Sequence, residues 1–205
     1  MSDPVPGRTN TAVASGEARR QAIVASATTL FAEHGHHATS LAQIGAGAGI
    51  SRAAVLHHFG TKEAILHAVL DAHEQRIWPV LAGIAEDRGL AAIARLVEIV
   101  QHNVVHREHA ELWAMVVAEA ATPGATLRPR VQENYAMFRA GIVRFVNEAR
   151  EDGELRDGVD GDTVAIGVLG FINGTTTSWL IDSTIPLVEL VDAHLQQVVA
   201  DLRAG

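Results

Sequence analysis

Residues 40–65 read SLAQIGAGAGISRAAVLHHFGTKEAI. Ser40 followed by Gln43 is a capping-box pattern, and Leu41, Ile44 and Ala48 give the residues behind it a short apolar face, so a helix of about two turns begins here. Gly47 and Gly49 then permit backbone angles closed to other residues, and Ser51 is placed to cap a second short helix ending near Phe59. The glycines are thus read as a tight turn between two short helices, the arrangement that lays a second helix into the major groove of a duplex. On that second helix Val55 and Phe59 fall on one side, toward the preceding helices, while Arg52, Ala53, Leu56 and His57 fall on the other. The outward set suits base edges. Arg52 can fork onto guanine, Ala53 lets the backbone approach, Leu56 can touch a thymine methyl, and His57 can donate to guanine or phosphate. His58, on the boundary, is expected to pack against the first helix.

Upstream, Ile23, Ala27, Leu30 and Phe31 recur at helical spacing and stop at Gly35, a residue suited to the left-handed position after a helix. Residues 1–16 mix Pro, Gly, Ser, Thr and Asn without periodicity and are expected to form a flexible arm. Downstream, Thr61 caps a longer helix with Ile65, Leu66, Val69, Leu70 and Ile77 on its buried side, which Pro79 should bend or end. Beyond Gly89 no period-two stretch suggests a strand. One stripe runs through Ile93, Leu96, Val97, Val100 and Val104, another through Val131, Tyr135, Phe138, Ile142 and Phe145, with a helix holding Trp113 between them. Residues 151–162 form a polar loop, and two helices follow over 162–182 and 186–203. The fold class is therefore all-α with about nine helices: the arm (1–16), a three-helix helix-turn-helix domain (17–62) and a larger helical domain (63–205).

The chain of 205 residues has a formal net charge of −8, unevenly divided. Residues 1–62 carry Arg8, Arg19, Arg20, Arg52 and Lys62 against Asp3, Glu17 and Glu33, a net +2, which leaves −10 on the remainder. A mildly basic module on an acidic body fits a polyanion-binding segment joined to a part with another task. No cysteine is present, so disulfides, thiolate metal sites and cysteine nucleophiles are excluded. The composition and the N-terminal stretch suggest neither a membrane span nor a secretory signal, and a soluble cytoplasmic protein is expected.

Residues 39–66, TSLAQIGAGAGISRAAVLHHFGTKEAIL, resemble the N-terminal signature of tetracycline-repressor-type (TetR family) transcriptional regulators. Ile44, Ala48, Gly49, Ser51, His58, Phe59, Lys62, Glu63 and Leu66 match in register, and AIVASATTLFAEHG before them looks like the family's first helix. The resemblance implies a helical ligand-binding and dimerisation domain in the remainder of the chain, with no cofactor and no enzymatic activity. It also implies that Thr39, Ser40, Gln43 and Lys62 hold phosphates of a double-stranded DNA operator, beside Ser51, Arg52, Ala53, Leu56 and His57. Three positions depart from the pattern. Gly45 replaces an alanine, His36 an aromatic residue, and Leu56 a tyrosine whose hydroxyl reaches the DNA backbone, so that phosphate contact is lost.

One recognition helix buries too little surface for tight specific binding, so a twofold homodimer on a palindrome is expected. Gly167, Gly170 and Gly174 on one side of an apolar helix suggest close backbone approach there. With Leu187, Leu190, Val191, Leu195 and Val198 of the last helix they would form an intersubunit four-helix bundle. A small, mostly apolar effector would be lined by Trp113, Met137, Phe138, Phe171, Asn173 and Trp179. His102, His106 and His109 have i, i+4, i+7 spacing, but a single helix would put them opposite the apolar stripe on a solvated face, so no metal site is assigned. Two other functions are compatible with these features: a helical enzyme or metal-binding bundle with an incidental helix-turn-helix, and a DNA-binding activator without a ligand. Against an enzyme, no HExxH motif and no phosphate-binding glycine loop is present.

Overall fold

The computed structural model describes the backbone of residues 8–204 and the side chains of residues 15–204. Ten helices follow one another among them: α1 (Arg8–His34), α2 (Leu41–Gly47), α3 (Arg52–Phe59), α4 (Lys62–Ile84), α5 (Gly89–Ala94), α6 (Val97–Val105), α7 (Arg107–Ala120), α8 (Arg128–Glu151), α9 (Gly161–Ile181) and α10 (Leu187–Leu202). The chain divides within α4 into two compact units, Met1–Glu74 and Gln75–Gly205.

In the first unit the core is made by Ile23, Ala27 and Phe31 of α1, Ile44 of α2, Val55 of α3, and Ile65, Leu66, Val69 and Leu70 of α4, all buried. Each of the larger side chains contributes on the order of 1.5–3 kcal/mol by leaving water, enough to hold helices too short to persist alone. Gly35 ends α1 at φ +79°, its N–H donating to Phe31 O at 2.9 Å. Gly49, at φ +69°, makes the turn between α2 and α3. Gly47 serves differently: it is helical, and a Cβ there would collide with the Ser26 hydroxyl of α1.

One expectation is corrected here and another is narrowed. α1 begins at Arg8, so residues 8–16 are helical, whereas an arm was expected. The strong breakers, Pro4, Pro6 and Gly7, all precede Arg8, and one internal Gly16 costs a helix only about 1 kcal/mol. Residues 1–7 lie outside those described. Of the two outcomes expected at Pro79, a bend or an end, the end does not occur, since α4 runs five residues past it to Ile84. Ile77 and Ile84 are both buried, and their burial offsets the hydrogen bond that Pro79 removes.

The second unit has its core where α8 packs on α9 and α5, and α10 on α5, α6 and α9. Gly89 starts α5 at φ +57°, where a Cβ would lie 3.2 Å from Ala149 Cα. Arg88 gives α5 no side-chain cap; carboxylates of α8 and its following loop accept instead, Glu148 from Gly89 N–H and Glu154 from Leu90 N–H. The stripe from Ile93 to Val104 is broken between α5 and α6, and Val104 is exposed. Arg95 fixes that break. Its guanidinium holds Glu98, Asp87 and the Gly83 carbonyl at 2.6–3.0 Å, which raises its already high pKa through the bonds to Glu98 first and Asp87 second. α9 alone among the described helices is long and apolar enough to cross a bilayer; here Ala165, Val168, Ile172 and Trp179 form its core face. Among the described residues the only β-type pairing is one bridge, Leu155 with Arg203.

Candidate DNA-binding face and effector region

The capping signals read from the sequence are made as expected. Ser40 Oγ accepts from Gln43 N–H at 3.2 Å while Gln43 Oε1 accepts from Ser40 N–H at 2.8 Å, closing the box at the head of α2. Ser51 Oγ accepts from Ala54 N–H at 3.2 Å, and Thr61 Oγ1 from Ala64 N–H at 3.0 Å. Each bond satisfies a donor that the helix start leaves open and fixes where the helix begins.

The aim of α3 follows from its inner side. Val55 is fully buried, and Phe59 is half-buried beneath the Arg20 guanidinium of α1, 4.0 Å from the ring centroid. Arg20 also donates to His58 O at 3.3 Å. Gly45 lets α2 and α3 approach, since a Cβ there would stand 2.8 Å from Ile50 O. Anchored in this way, α3 leaves Ser51, Arg52, Ala53 and His57 exposed and Leu56 half-buried, in agreement with the helical wheel. Ser40 and Gln43 are exposed as well.

Two of the side chains expected to hold phosphates make hydrogen bonds within the protein. Thr39 is buried, its hydroxyl donating to the carbonyls of Gly35 at 2.9 Å and Leu30 at 3.1 Å. Lys62 Nζ donates to the carbonyls of His36 at 2.8 Å, Thr39 at 3.1 Å and His37 at 3.4 Å. Its three protons are thereby committed to the loop between α1 and α2. His36, where the family pattern has an aromatic residue, is buried edge-on to Phe31 at 5.3 Å. The neighbouring Glu63 carboxyl is held below its ordinary pKa, chiefly by the backbone N–H of its own residue at the start of α4.

In the second unit the residues expected to line an effector site are partly gathered. Trp113 of α7 stacks on Tyr135 of α8, with centroids 6.3 Å apart, and Asn173 Nδ2 of α9 donates to the Tyr135 hydroxyl at 3.3 Å. In the sequence Tyr135 belongs to an apolar stripe, and the signal of its polar role is that it is the sole tyrosine, with a hydroxyl to satisfy among apolar neighbours. Burial raises the pKa of that hydroxyl. Trp179 is buried under the Arg107 guanidinium, 4.7 Å from its ring, and Arg107 donates to Leu180 O and Glu111. Phe138 is half-buried, Met137 is exposed, and Phe171 stacks on His194 of α10 at 3.7 Å. Thr176, nine-tenths buried on α9, has a hydroxyl without a hydrogen-bond partner among the described residues.

The dimer candidates also separate. Gly167, Gly170 and Gly174 are exposed with nothing within 4 Å of a Cβ, and Leu190 is exposed and Val198 half-buried. Leu187, Val191 and Leu195 are buried in the chain's own core, because α5, α6 and α9 already cover that side of α10. The histidines depart from the single-helix expectation too. At His106 the backbone turns to φ −123°, ψ 60°, ending α6 and redirecting α7. His109 becomes buried, and Arg76 Nη1 lies 2.7 Å from its Nε2.

Comparison with known proteins agrees with this architecture. The profile described as "Bacterial regulatory proteins, tetR family" matches residues 23–69, and that described as "BetI-type transcriptional repressor, C-terminal" matches residues 91–202, more than half of the chain. The chain belongs to the TetR family. It is a transcriptional regulator of the repressor type, not an enzyme. Similar proteins include the HTH-type transcriptional repressor AcnR of Corynebacterium diphtheriae, 26% identical over 184 residues, covering 87% of this chain and 92% of that one. The fatty acid metabolism regulator protein of Bacillus subtilis is 23% identical over 185 residues, covering 88% and 93%. A transcriptional regulator from Saccharomonospora viridis, solved in complex with choline, shares the fold at a TM-score of 0.78 and 22% identity, with 91% and 98% covered.

In this TetR-family chain Lys62→Met should lower stability by about 1–3 kcal/mol, the cost of leaving carbonyls without a charged donor. Urea unfolding measures this. The salt dependence of DNA binding should be unchanged, whereas loss of a phosphate contact would reduce its log–log slope by about one.

Proposed function

We propose that the chain represses transcription as a homodimer on a palindromic operator and is released by a small, mostly apolar effector. The observation that carries this reading is the exposed row Arg52, Ala53 and His57 on a helix whose other side is fixed by Val55 and Phe59. Arg52 reads guanine, with His57 and the half-buried Leu56 beside it. Ser40, Gln43 and Ser51 position the backbone, Gln43 through the amide nitrogen that its capping role does not use. Thr39 and Lys62 hold the loop behind them.

The partner surface is supported by what α9 leaves uncovered. Ile166 is 60% and Ile181 83% exposed on an otherwise apolar helix, with Gly167, Gly170 and Gly174 between them. A second copy covers this face, joined by Leu190 and Val198, and two recognition helices then sit about one helical turn, ~34–36 Å, apart. For the effector, Trp113, Tyr135 and Asn173 supply an aromatic wall and a polar pair, and the unpartnered Thr176 hydroxyl supplies a further anchor. Choline is bound by the Saccharomonospora viridis relative, but here Trp179 has a face under Arg107, Trp113 one under Tyr135 and Phe171 one on His194. The Arg107 guanidinium over Trp179 repels a second cation at that ring, which favours an uncharged ligand. Regulation of this kind requires the effector to prefer the DNA-incompetent conformation. The site of action is the cytoplasm, where operator DNA lies.

Arg52→Ala should weaken binding to a selected operator by about 1–3 kcal/mol and affect random duplex less, as read by competition binding at fixed salt. Equal losses on both duplexes would refute base reading. Gly170→Glu should leave the monomer at least as stable, glycine being about 1 kcal/mol worse than most residues inside a helix, yet abolish the dimer by light scattering. A dimer unaffected by Gly170→Glu would exclude this face.

A further inference from the structure

The break at His106 brings together groups that a straight α6–α7 helix would spread along one side. His102 and His106 have ring centroids 4.6 Å apart, and His106 and His109 5.8 Å. Glu108 Oε1 lies 3.6 Å from His109 Nε2 and 3.9 Å from His106 Nδ1, and His106, Glu108 and His109 offer three ligand atoms all within 4.8 Å of one another. In a tetrahedral site with bonds near 2.1 Å, ligand atoms stand roughly 3.4 Å apart, so one edge is almost in place and another needs about half an ångström. His106 and Glu108 can supply that adjustment, since their side chains are 38% and 48% exposed, while buried His109 gives the fixed point.

Two imidazoles and a carboxylate form a donor set suited to zinc and its late first-row neighbours, with a fourth position for water or His102. Neutral imidazole is the ligating form, and burial depresses the pKa of both His102 and His109. One group already uses this place. Arg76 Nη1 lies 2.7 Å from His109 Nε2, and since a guanidinium only donates, Nε2 is the accepting nitrogen, the same lone pair a metal would take. A divalent ion and a guanidinium cannot share that lone pair, and each repels the other.

We propose that His106, Glu108 and His109 bind a divalent transition-metal ion, and that the ion takes the His109 Nε2 lone pair from Arg76, which moves aside to solvent. The exchange is a competition between two cations for one buried nitrogen, and it holds whether or not the chain reads DNA as described above. It gives Arg76, which projects from α4, one partner without metal and another environment with it.

The test is calorimetric titration of Zn²⁺ into the full, untagged chain, repeated with Co²⁺ to read the d–d absorption of a tetrahedral ion. One equivalent per chain is expected. His106→Gln and Glu108→Gln should each weaken binding about tenfold or more, with melting curves like wild type because both positions are partly exposed. Arg76→Met should tighten it several-fold, and a His34→Gln, His37→Gln double variant should titrate like wild type. The proposal is overturned by the absence of saturable binding, or by His106→Gln and Glu108→Gln titrating like wild type. It is equally overturned if Arg76→Met leaves the affinity unchanged, or if the His34→Gln, His37→Gln variant abolishes it.

Discussion

The seating of α3 is the constraint on which the first unit turns. An eight-residue helix has no stability of its own, so its direction is whatever its buried side dictates. Val55 is fully buried, Phe59 lies under Arg20, and Arg20 reaches the His58 carbonyl at the helix end. With those three points held, Arg52, Ala53 and His57 face outward with no further adjustment. A face that is already ordered loses less conformational entropy on binding, which is why a regulator keeps its reading helix on a rigid scaffold.

The same economy explains why polar side chains at the rim serve the scaffold. Thr39 and Lys62 both satisfy carbonyls at the end of α1 and in the loop after it. A helix end leaves acceptors open, and a lysine three donors strong answers several at once. Ser40, Gln43 and Ser51, which cap α2 and α3, are the polar side chains that stay exposed there, and the proposed phosphate contacts fall to them. In the second unit Arg95 and Arg107 do comparable work, each joining a carboxylate and a backbone carbonyl at a place where helices change direction or meet.

Local chemistry made much of this legible beforehand. Serine caps, the glycine turn and the i, i+4 pair Val55 and Phe59 are short-range signals, and the helices they imply formed within a residue or two of the expected bounds. What the sequence concealed depends on distant partners. Lys62 finds its acceptors more than twenty residues away. An apolar stripe does not say which neighbour covers it, so Leu187, Val191 and Leu195 serve the chain's own core although their pattern equally suited a partner. The burial of His109 depends on one backbone angle pair at His106, which no periodicity announces. The proposed effector region suffers likewise: Trp113, Tyr135 and Asn173 come from three helices, and only their packing brings them together.

Guanine methylation protection on a duplex selected from random sequence tests the outward aim of α3 most directly, because methylation at N7 reports the major-groove edge alone. The account predicts two protected clusters related by a twofold axis, with centres one helical turn apart. Undisturbed methylation at every guanine of a tightly bound duplex would place the contact elsewhere on the protein and contradict it.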